Sequence, residues 1–524
     1  MIRTIIRREF LDNILSFKFA ACVLVAIVLA VFSTIFQTGN YLDRLADYNK
    51  GDAAARNRLT QVPAYSFLRV EVYKKPLPLS IFVSGIESRA GNFVTISHRE
   101  IPTSLQGGRA SNEFASIFSF FDFPSIVVGI FSILAILLAY GSVSGEKETG
   151  MLSLALSSSV PRSRYLVGKY LGGLTSLAVA VLLCLLTGIT VLTLHRGVDP
   201  GRGFFLSMSI IYVFSLLYLS VVLLFAMLVS CLTKRSYQSL VIILAFYLVG
   251  VYLLPLAINA AADGTSARKA VNYDRNSGSV LSQRQAEIEQ IRQTIPARRT
   301  WTFMKATEEM GDALLGRLNP PGTIAHFERL FEQTERLRED YALKIYGLHQ
   351  EDSRIRERID RVRNSALTFL PASSYCRAVE LEAETGREGL RRFSDQVVTY
   401  WHQYVRYLDQ KSAFSLKYSY PYQREISPAD RSLIDEVSRF FANGNEPFWK
   451  SPAFREIAKR NAQSEKDIKP LDLGDLPTFM GRPTGLSGRL ANWLPNVLIL
   501  VIDNLLLFAL AYVAFVRYDP RMEI

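Results

Sequence analysis

Phe123-Pro124-Ser125-Ile126-Val127-Val128-Gly129-Ile130-Phe131-Ser132-Ile133-Leu134-Ala135-Ile136-Leu137-Leu138-Ala139-Tyr140-Gly141-Ser142-Val143-Ser144-Gly145 contains no charged side chain, and Glu146-Lys147-Glu148 follows it at once. As a helix this stretch is about 34 Å long. That length matches the ~30 Å of hydrocarbon in a bilayer. A helix this apolar on every side has no face to turn to water, so it reads as a membrane span. Five more runs share the character: 19–42, 170–194, 204–232, 236–262 and 490–516, the last interrupted by Asp503. Six spans make the fold class an all-α polytopic membrane protein. Composition agrees: apolar residues are 49% of the 524, charged residues 21%, and mean hydropathy is +0.15. So many Phe and Tyr exclude a disordered chain.

The remaining segments surround the spans. Residues 1–18 carry Arg3, Arg7, Arg8 and Lys18 between Ile2, Ile5, Ile6, Phe10, Ile14 and Leu15. That is the pattern of an amphipathic helix lying in the membrane interface. The long basic region, with no small-x-small site after it, argues against a cleaved signal peptide. Residues 43–122 and 263–489 form two long polar segments, 146–169 a shorter loop and 517–524 a tail. Basic residues favour the side holding the N-terminus, the 146–169 loop, Lys234-Arg235 and the tail, so the termini are expected to be cytoplasmic and both long segments extracytoplasmic. The net charge of +12 and pI near 9.4 are read as contact with anionic lipid rather than nucleic acid, since no basic and aromatic nucleic-acid module is present.

The large segment, 263–489, is nearly balanced in charge and reads as mainly helical. Asn319-Pro320-Pro321 is a start signal. From Phe327 through Leu330, Leu337, Tyr341, Leu348, Ile355 and Ile359 to Val362 the apolar residues keep a spacing of three and four, broken at Thr334, Lys344 and Asp352. A helix of ~45 residues would reach ~68 Å. It is either an amphipathic helix packed in a helical domain or a coiled-coil arm. Ser427-Pro428 opens another helix, and Asn443-Gly444 closes it. Phe67 to Tyr73 alternates as a short strand.

Catalytic chemistry is hard to find. The chain has no phosphate-binding loop of the G-x-x-x-x-G-K-[ST] kind. Its five histidines are scattered without metal spacing. Of four cysteines, Cys22, Cys184 and Cys231 lie in apolar runs and only Cys376 in the polar insert, so no disulfide framework is expected. Gly141 and Gly145 form a small-xxx-small pair. Asp503, with Asn504 beside it, is the one carboxylate in an apolar run, and an intramembrane carboxylate is a functional candidate by default.

The loop after the second span is more specific. Gly145-Glu146-Lys147-Glu148-Thr149-Gly150-Met151-Leu152-Ser153-Leu154-Ala155-Leu156-Ser157 leads to Val160-Pro161-Arg162, and then Gly168-Lys169-Tyr170-Leu171-Gly172 opens the third span. This order resembles the inner loop of type-two ABC exporter permeases (type V exporters), roughly G-E-K-E-x-G-T-L-x-L-L-L-S-x-P-V-S-R followed by G-K-x-x-G. Met151, Ser159 and Pro161 depart from that pattern and alter the local turn. Pro76-Leu77-Pro78-Leu79-Ser80-Ile81-Phe82, Asp475-Leu476-Pro477 and Arg517-Tyr518-Asp519 resemble a subgroup with a large outer domain before the last span, related to nitrous-oxide-reductase maturation and gliding-motility permeases.

The resemblance implies a multi-pass cytoplasmic-membrane subunit that pairs with a second permease, the same chain or a paralogue. It implies docking on a separate ABC ATPase subunit that carries ATP and Mg, while this chain binds no cofactor and catalyses nothing. A coupling helix at about 147–157 would seat in that ATPase. Gly145, Glu146, Lys147, Glu148, Gly150, Leu152, Leu154, Arg162 and Lys169 are the expected coupling residues. Glu146, Lys147 and Glu148 are expected to pair across the contact, and Arg162 and Lys169 to face lipid phosphates or acidic ATPase residues. An outer protein partner is a further expectation. The rival reading is a membrane receptor or scaffold with a helical outer domain.

Overall fold

A computed structural model describes residues 2–518 apart from 88–89, 108–120, 153–160, 196, 202, 294–317, 320–322 and most of 420–468. Helix α1 (Ile2–Ile14) leads to Ser16, whose hydroxyl accepts from the Phe19 amide and so caps α2 (Phe17–Leu59). α2 continues past its apolar stretch into the outer segment. There β1 (Val70–Tyr73) pairs antiparallel with β2 (Phe93–Ile96), with Val70 opposite Ile96. The Asp122 carboxylate accepts from the Ser125 amide at 3.1 Å and starts α3 (Phe123–Glu148). α4 (Arg162–Leu194) and α5 (Phe204–Leu232) follow. α6 (Ser236–Leu248) passes through a π-helical stretch, Val249–Leu253, into α7 (Leu254–Gln293). The outer domain adds α8 (Thr323–Thr368), α9 (Pro371–Ala383) and α10 (Arg387–Gln410), and α11 (Leu486–Val516) returns through the membrane. Among the described residues six helices are long and apolar enough to cross a bilayer. The chain is an all-α polytopic membrane protein with a large, mainly helical extracytoplasmic domain.

α5 is the hub of the membrane bundle. Its apolar stretch is 61% buried, against 6% for the span that begins at Ser236. α3, α4, α9 and α11 all pack on it, and Leu134, Leu177, Ile211, Leu219 and Ala226 fill the centre. Polar groups in this core need partners inside the protein, because the bilayer offers none. Ser132 and Tyr218 hydroxyls lie 2.9 Å apart, as do those of Ser215 and Tyr375. The Tyr218 and Tyr375 rings stack at 5.1 Å.

Tyr375 belongs to α9, an outer-domain helix that enters the bundle. Its Ala372, Tyr375, Ala378, Val379 and Glu382 are buried against α5 and α11. The Ser374 hydroxyl donates to the Asn496 carbonyl, ten residues or about 15 Å along α11. Pro371 therefore marks the deep end and Ala383 the shallow one. At the shallow end Glu382, fully buried, accepts from Ser207 at 2.7 Å and Trp493 at 3.0 Å, and pairs with Arg489 at 3.0 Å.

The outer domain has its own core, where Val70, Val72, Val94 and Ile96 meet Phe393, Val397, Trp401, Tyr404 and Leu408 of α10. The Trp401 indole donates to the Ser97 carbonyl at 2.7 Å. α8 finds its partner within the chain. It lies along α7, with the Tyr341 hydroxyl donating to Glu287 at 2.6 Å and the Tyr273 and His349 rings 5.9 Å apart. The polar interruptions are accommodated locally. Thr334 bonds back to the Leu330 carbonyl, Asp352 accepts from Arg356, and the Lys344 ammonium sits 4.2 Å over the Tyr341 ring. Asn319 stands in a short parallel pairing of Leu318–Asn319 with Arg424–Glu425. The helix expected from Ser427 to Asn443 lies largely outside the described residues.

Glu335 of α8, 1% exposed, ties this helix to the end of β2 through His98 and Arg99, and also pairs with Arg338 on its own helix. Burial alone raises its pKa, but the His98 hydrogen bond and the Arg99 and Arg338 charges outweigh that and hold it below the usual value. A depressed carboxylate stabilises the fold above its unfolded pKa of about 4.3 and loses that contribution as pH falls through the lower folded value. Glu335→Gln should therefore lower outer-domain stability at neutral pH, with the difference from the parent shrinking below about pH 4 in thermal melts. Glu382→Leu, which strands Arg489, should cost about 3–5 kcal/mol, and the double Glu382→Leu, Arg489→Leu variant should recover most of it in melts of the purified protein.

Candidate functional site at the loop face

The end of α3 is bent by hydrogen bonding from α5. A turn at 140–143 interrupts the helix, and the freed Val143 and Ser144 amides both donate to the Ser230 hydroxyl, at 3.1 and 2.9 Å. Ser144–Glu148 then forms a short helix. It ends because Gly150 takes a left-handed φ of +71°, which lets its amide reach the Lys147 carbonyl at 3.2 Å. A side chain at this position would strain the turn. Gly145 faces the start of α6, where an added Cβ would lie 3.3 Å from the Ser236 hydroxyl.

Around this short helix the charged residues form an intrachain network. The Lys169 ammonium, with 6% of its side chain exposed, lies 2.7 Å from Glu9 and 2.8 Å from Glu146. The Tyr165 hydroxyl donates to the same Glu146 carboxylate at 2.7 Å. Glu9 belongs to α1, which crosses α4 at a glycine seat. An added Cβ at Gly172 would meet the Glu9 Cβ at 2.6 Å, and one at Gly168 would meet the Ile5 Cγ2 at 2.7 Å. Asn13 donates to Ser176 at 3.3 Å further along the same crossing. The Lys147 ammonium donates to the Cys231 and Thr233 carbonyls at 2.5 and 3.1 Å, and lies 4.5 Å over the Tyr518 ring. Arg162 donates to the Val516 and Tyr518 carbonyls at 2.7 and 2.9 Å. Cations thus satisfy the carbonyl ends of α5 and α11, where the helix dipoles are negative. Glu148 accepts from the Ser236 hydroxyl at 2.7 Å at the start of α6.

This arrangement corrects the expected orientation of several side chains. Lys169 faces neither lipid phosphate nor solvent, because it is buried between two carboxylates. Glu146, Lys147 and Arg162 are likewise turned toward this chain's own helices. Leaving such charges and helix-end carbonyls unpaired beside the membrane is costly, so they satisfy one another. The segment presented outward is Glu148, Thr149, Gly150 and Met151, with Met151 51% exposed and Leu152 buried again at 1%. The helix expected at 147–157 is broken at Gly150, and Leu154 lies outside the described residues. Sequence reading did not single out Glu9, Tyr165, Ser230 or Ser236, and it marked Tyr518 only as part of the Arg517-Tyr518-Asp519 resemblance. The one available signal was Glu9, a carboxylate among the basic residues of α1.

Asp503 stands apart from this network, within α11. It is half-buried, and among the described residues its Oδ2 has no hydrogen-bond partner. The neighbouring Asn504 joins the helices, donating to the Leu217 and Leu500 carbonyls at 3.0 and 2.8 Å and accepting from Ser220. Among the described residues no group of three or more His, Cys, Asp or Glu is arranged to hold a metal ion.

Residues 3–326, more than half of the chain, match the family model described as ABC-2 family transporter protein. Comparison with curated protein sequences finds no match.

Two substitutions test the network. Lys169→Met leaves Glu9 and Glu146 facing each other and should cost about 2 kcal/mol of thermal stability, with Glu146→Gln in the same chain restoring part of it. Gly172→Val should lift α1 from α4, making a cysteine at Ile5 react faster with a water-soluble maleimide while one at Leu11, already exposed, changes little.

Proposed function

This chain belongs to the ABC-2 family of transporter proteins, and we propose that it acts as the membrane-spanning permease subunit of an exporter in the cytoplasmic membrane. A separate ATPase subunit, carrying ATP and Mg, docks at the loop face. The outward segment Glu148–Met151 is its contact, and the residues behind that segment carry its motion inward. This makes Gly145, Glu146, Lys147, Glu148, Gly150, Leu152, Leu154, Arg162 and Lys169 coupling residues of two kinds. Glu148, Gly150 and the segment through Leu154 meet or shape the contact, and the others connect it to the spans.

The observation that carries this reading is the connectivity of the exposed segment. A push on Glu148–Met151 acts on α6 through Ser236, on α5 through Lys147, on α4 and α1 through Glu146 and Lys169, and on the end of α11 through Lys147 over the Tyr518 ring. Coupling of this kind requires differential contacts in two states, and these bonds can exchange partners. The weakly buried span at α6 offers exposed Val241, Phe246, Tyr252 and Leu256 to a second permease, the same chain or a paralogue. Asp503, unpartnered at Oδ2, is the candidate polar group of an intramembrane path. The output is either a solute or a movement of the extracytoplasmic domain that an outer protein receives.

The test is co-expression with the cognate ATPase subunit, purification on a tag carried by this chain, and measurement of ATP hydrolysis. Glu148→Arg should cut the rate by at least about fivefold while the chain remains folded, since a reversed charge at a contact costs specificity and affinity. Failure of an intact, folded chain to retain any ATPase would defeat the proposal and favour a receptor or scaffold.

A further inference from the structure

The extracytoplasmic domain holds a cleft of about 750 Å³ between the β2 region, α8 and α10. That volume lies within the range of small-molecule and cofactor sites. One wall is apolar, with the half-buried Ile86, Pro102 and Leu105 from the first outer segment and Leu390 from α10. The other is charged. On α8 Arg354, Glu357 and Asp360 share one stripe at a spacing of three, and Arg387 and Arg391 stand four apart on α10. Two of the arginines hold carboxylates across the cleft: Arg391 to Glu357 at 2.6 Å and Arg387 to Asp360 at 3.5 Å. Both arginines are more than half exposed, with side chains 53% and 63% accessible, so these pairs are weak and open to exchange. The lining also includes His349, whose pKa burial lowers, so it adds no charge at neutral pH.

The position of the cleft narrows its occupant. Arg387 begins α10 four residues after Ala383, the shallow end of the membrane-inserted α9, and Asp360 faces it. The charged end therefore lies close to the outer membrane surface. Tyr346, at the other end of the α8 lining, is fourteen residues or about 21 Å further along that helix.

We propose that this cleft is a binding site for an anionic amphiphile drawn from the outer leaflet, a bilayer lipid with an exposed phosphate, whose head group is held by Arg354 and Arg391 and whose chain lies against Ile86, Pro102, Leu105 and Leu390. The arginine fork suits a phosphate because it can donate two parallel hydrogen bonds. Glu357 is the internal competitor that the head group displaces from Arg391. The site is independent of the ATPase contact, since every residue in it belongs to the outer domain.

The test uses the full chain in phosphatidylcholine nanodiscs doped with increasing mole fractions of phosphatidic acid. A polarity-sensitive fluorophore on Ser394→Cys, which lines the cleft, reports occupancy, with the unsubstituted chain as the labelling blank. Emission should shift and saturate as phosphatidic acid rises. Arg354→Gln with Arg391→Gln should raise the half-saturating fraction about tenfold. Glu357→Gln, which frees Arg391 without burying an unpaired charge, should lower it about threefold, a change that damaged folding would not produce. The proposal fails if the shift does not saturate or is the same in the double arginine variant. It also fails if inorganic phosphate alone produces the shift, which would mark a simple anion site, or if an acidic peptide displaces the lipid, which would mark a protein-binding cleft.

Discussion

One ammonium group, the Lys169 Nζ, sits between the carboxylates of Glu9 and Glu146 at 2.7 and 2.8 Å. A buried cation cannot be left alone, and the two acids come from segments far apart in the chain. Satisfying it fixes where α1 lies, how α3 ends and how α4 begins. Gly168 and Gly172 make that contact sterically possible, because any larger residue would hold α1 off. The charge supplies the reason for the arrangement and the glycines supply the room.

The same rule operates throughout the bundle. Where water is absent, buried polar groups are matched by others from the chain at the main helix contacts: Ser132 by Tyr218, Ser215 by Tyr375, Glu382 by Arg489 and Trp493, the end of α5 by Lys147 and the end of α11 by Arg162. These bonds discriminate between packings, because a helix shifted by one turn loses them. Asp503 departs from the rule at one oxygen, as Gln37, Thr38 and Ser239 each do at one atom, and it stands out as a functional candidate because its unmatched group is a carboxylate.

The spans were legible in the sequence because a charge in hydrocarbon is expensive, so crossing segments are written as charge-free runs. α9 was not legible. It enters the bundle only partway and is shielded from lipid by α5 and α11, so it can carry Arg377, Glu380 and Glu382 and shows no apolar run. The loop after the second span was legible in its residue types but not in their directions. Glu146 and Lys147 look the same in sequence whether they face a partner or this chain. What decides is a set of acceptors such as the Val516 carbonyl, 354 residues from Arg162, and no local pattern records such a distance. Gly150 has a local cause, since a glycine can close a short helix, but the expected helix at 147–157 was drawn through it.

The passage of α6 into α7 without a break has a mechanical result. From Ser236 to Gln293 it is one rod of about 87 Å, of which only about 30 Å crosses hydrocarbon. Pivoted at the loop face, a tilt of about 5° moves the rod by about 3 Å where it leaves the membrane and by about 8 Å at its far end. α8 is strapped along the upper part of that rod and must travel with it. The extracytoplasmic hairpin is thereby geared to the membrane, multiplying a small displacement at the outer membrane surface roughly threefold at its tip.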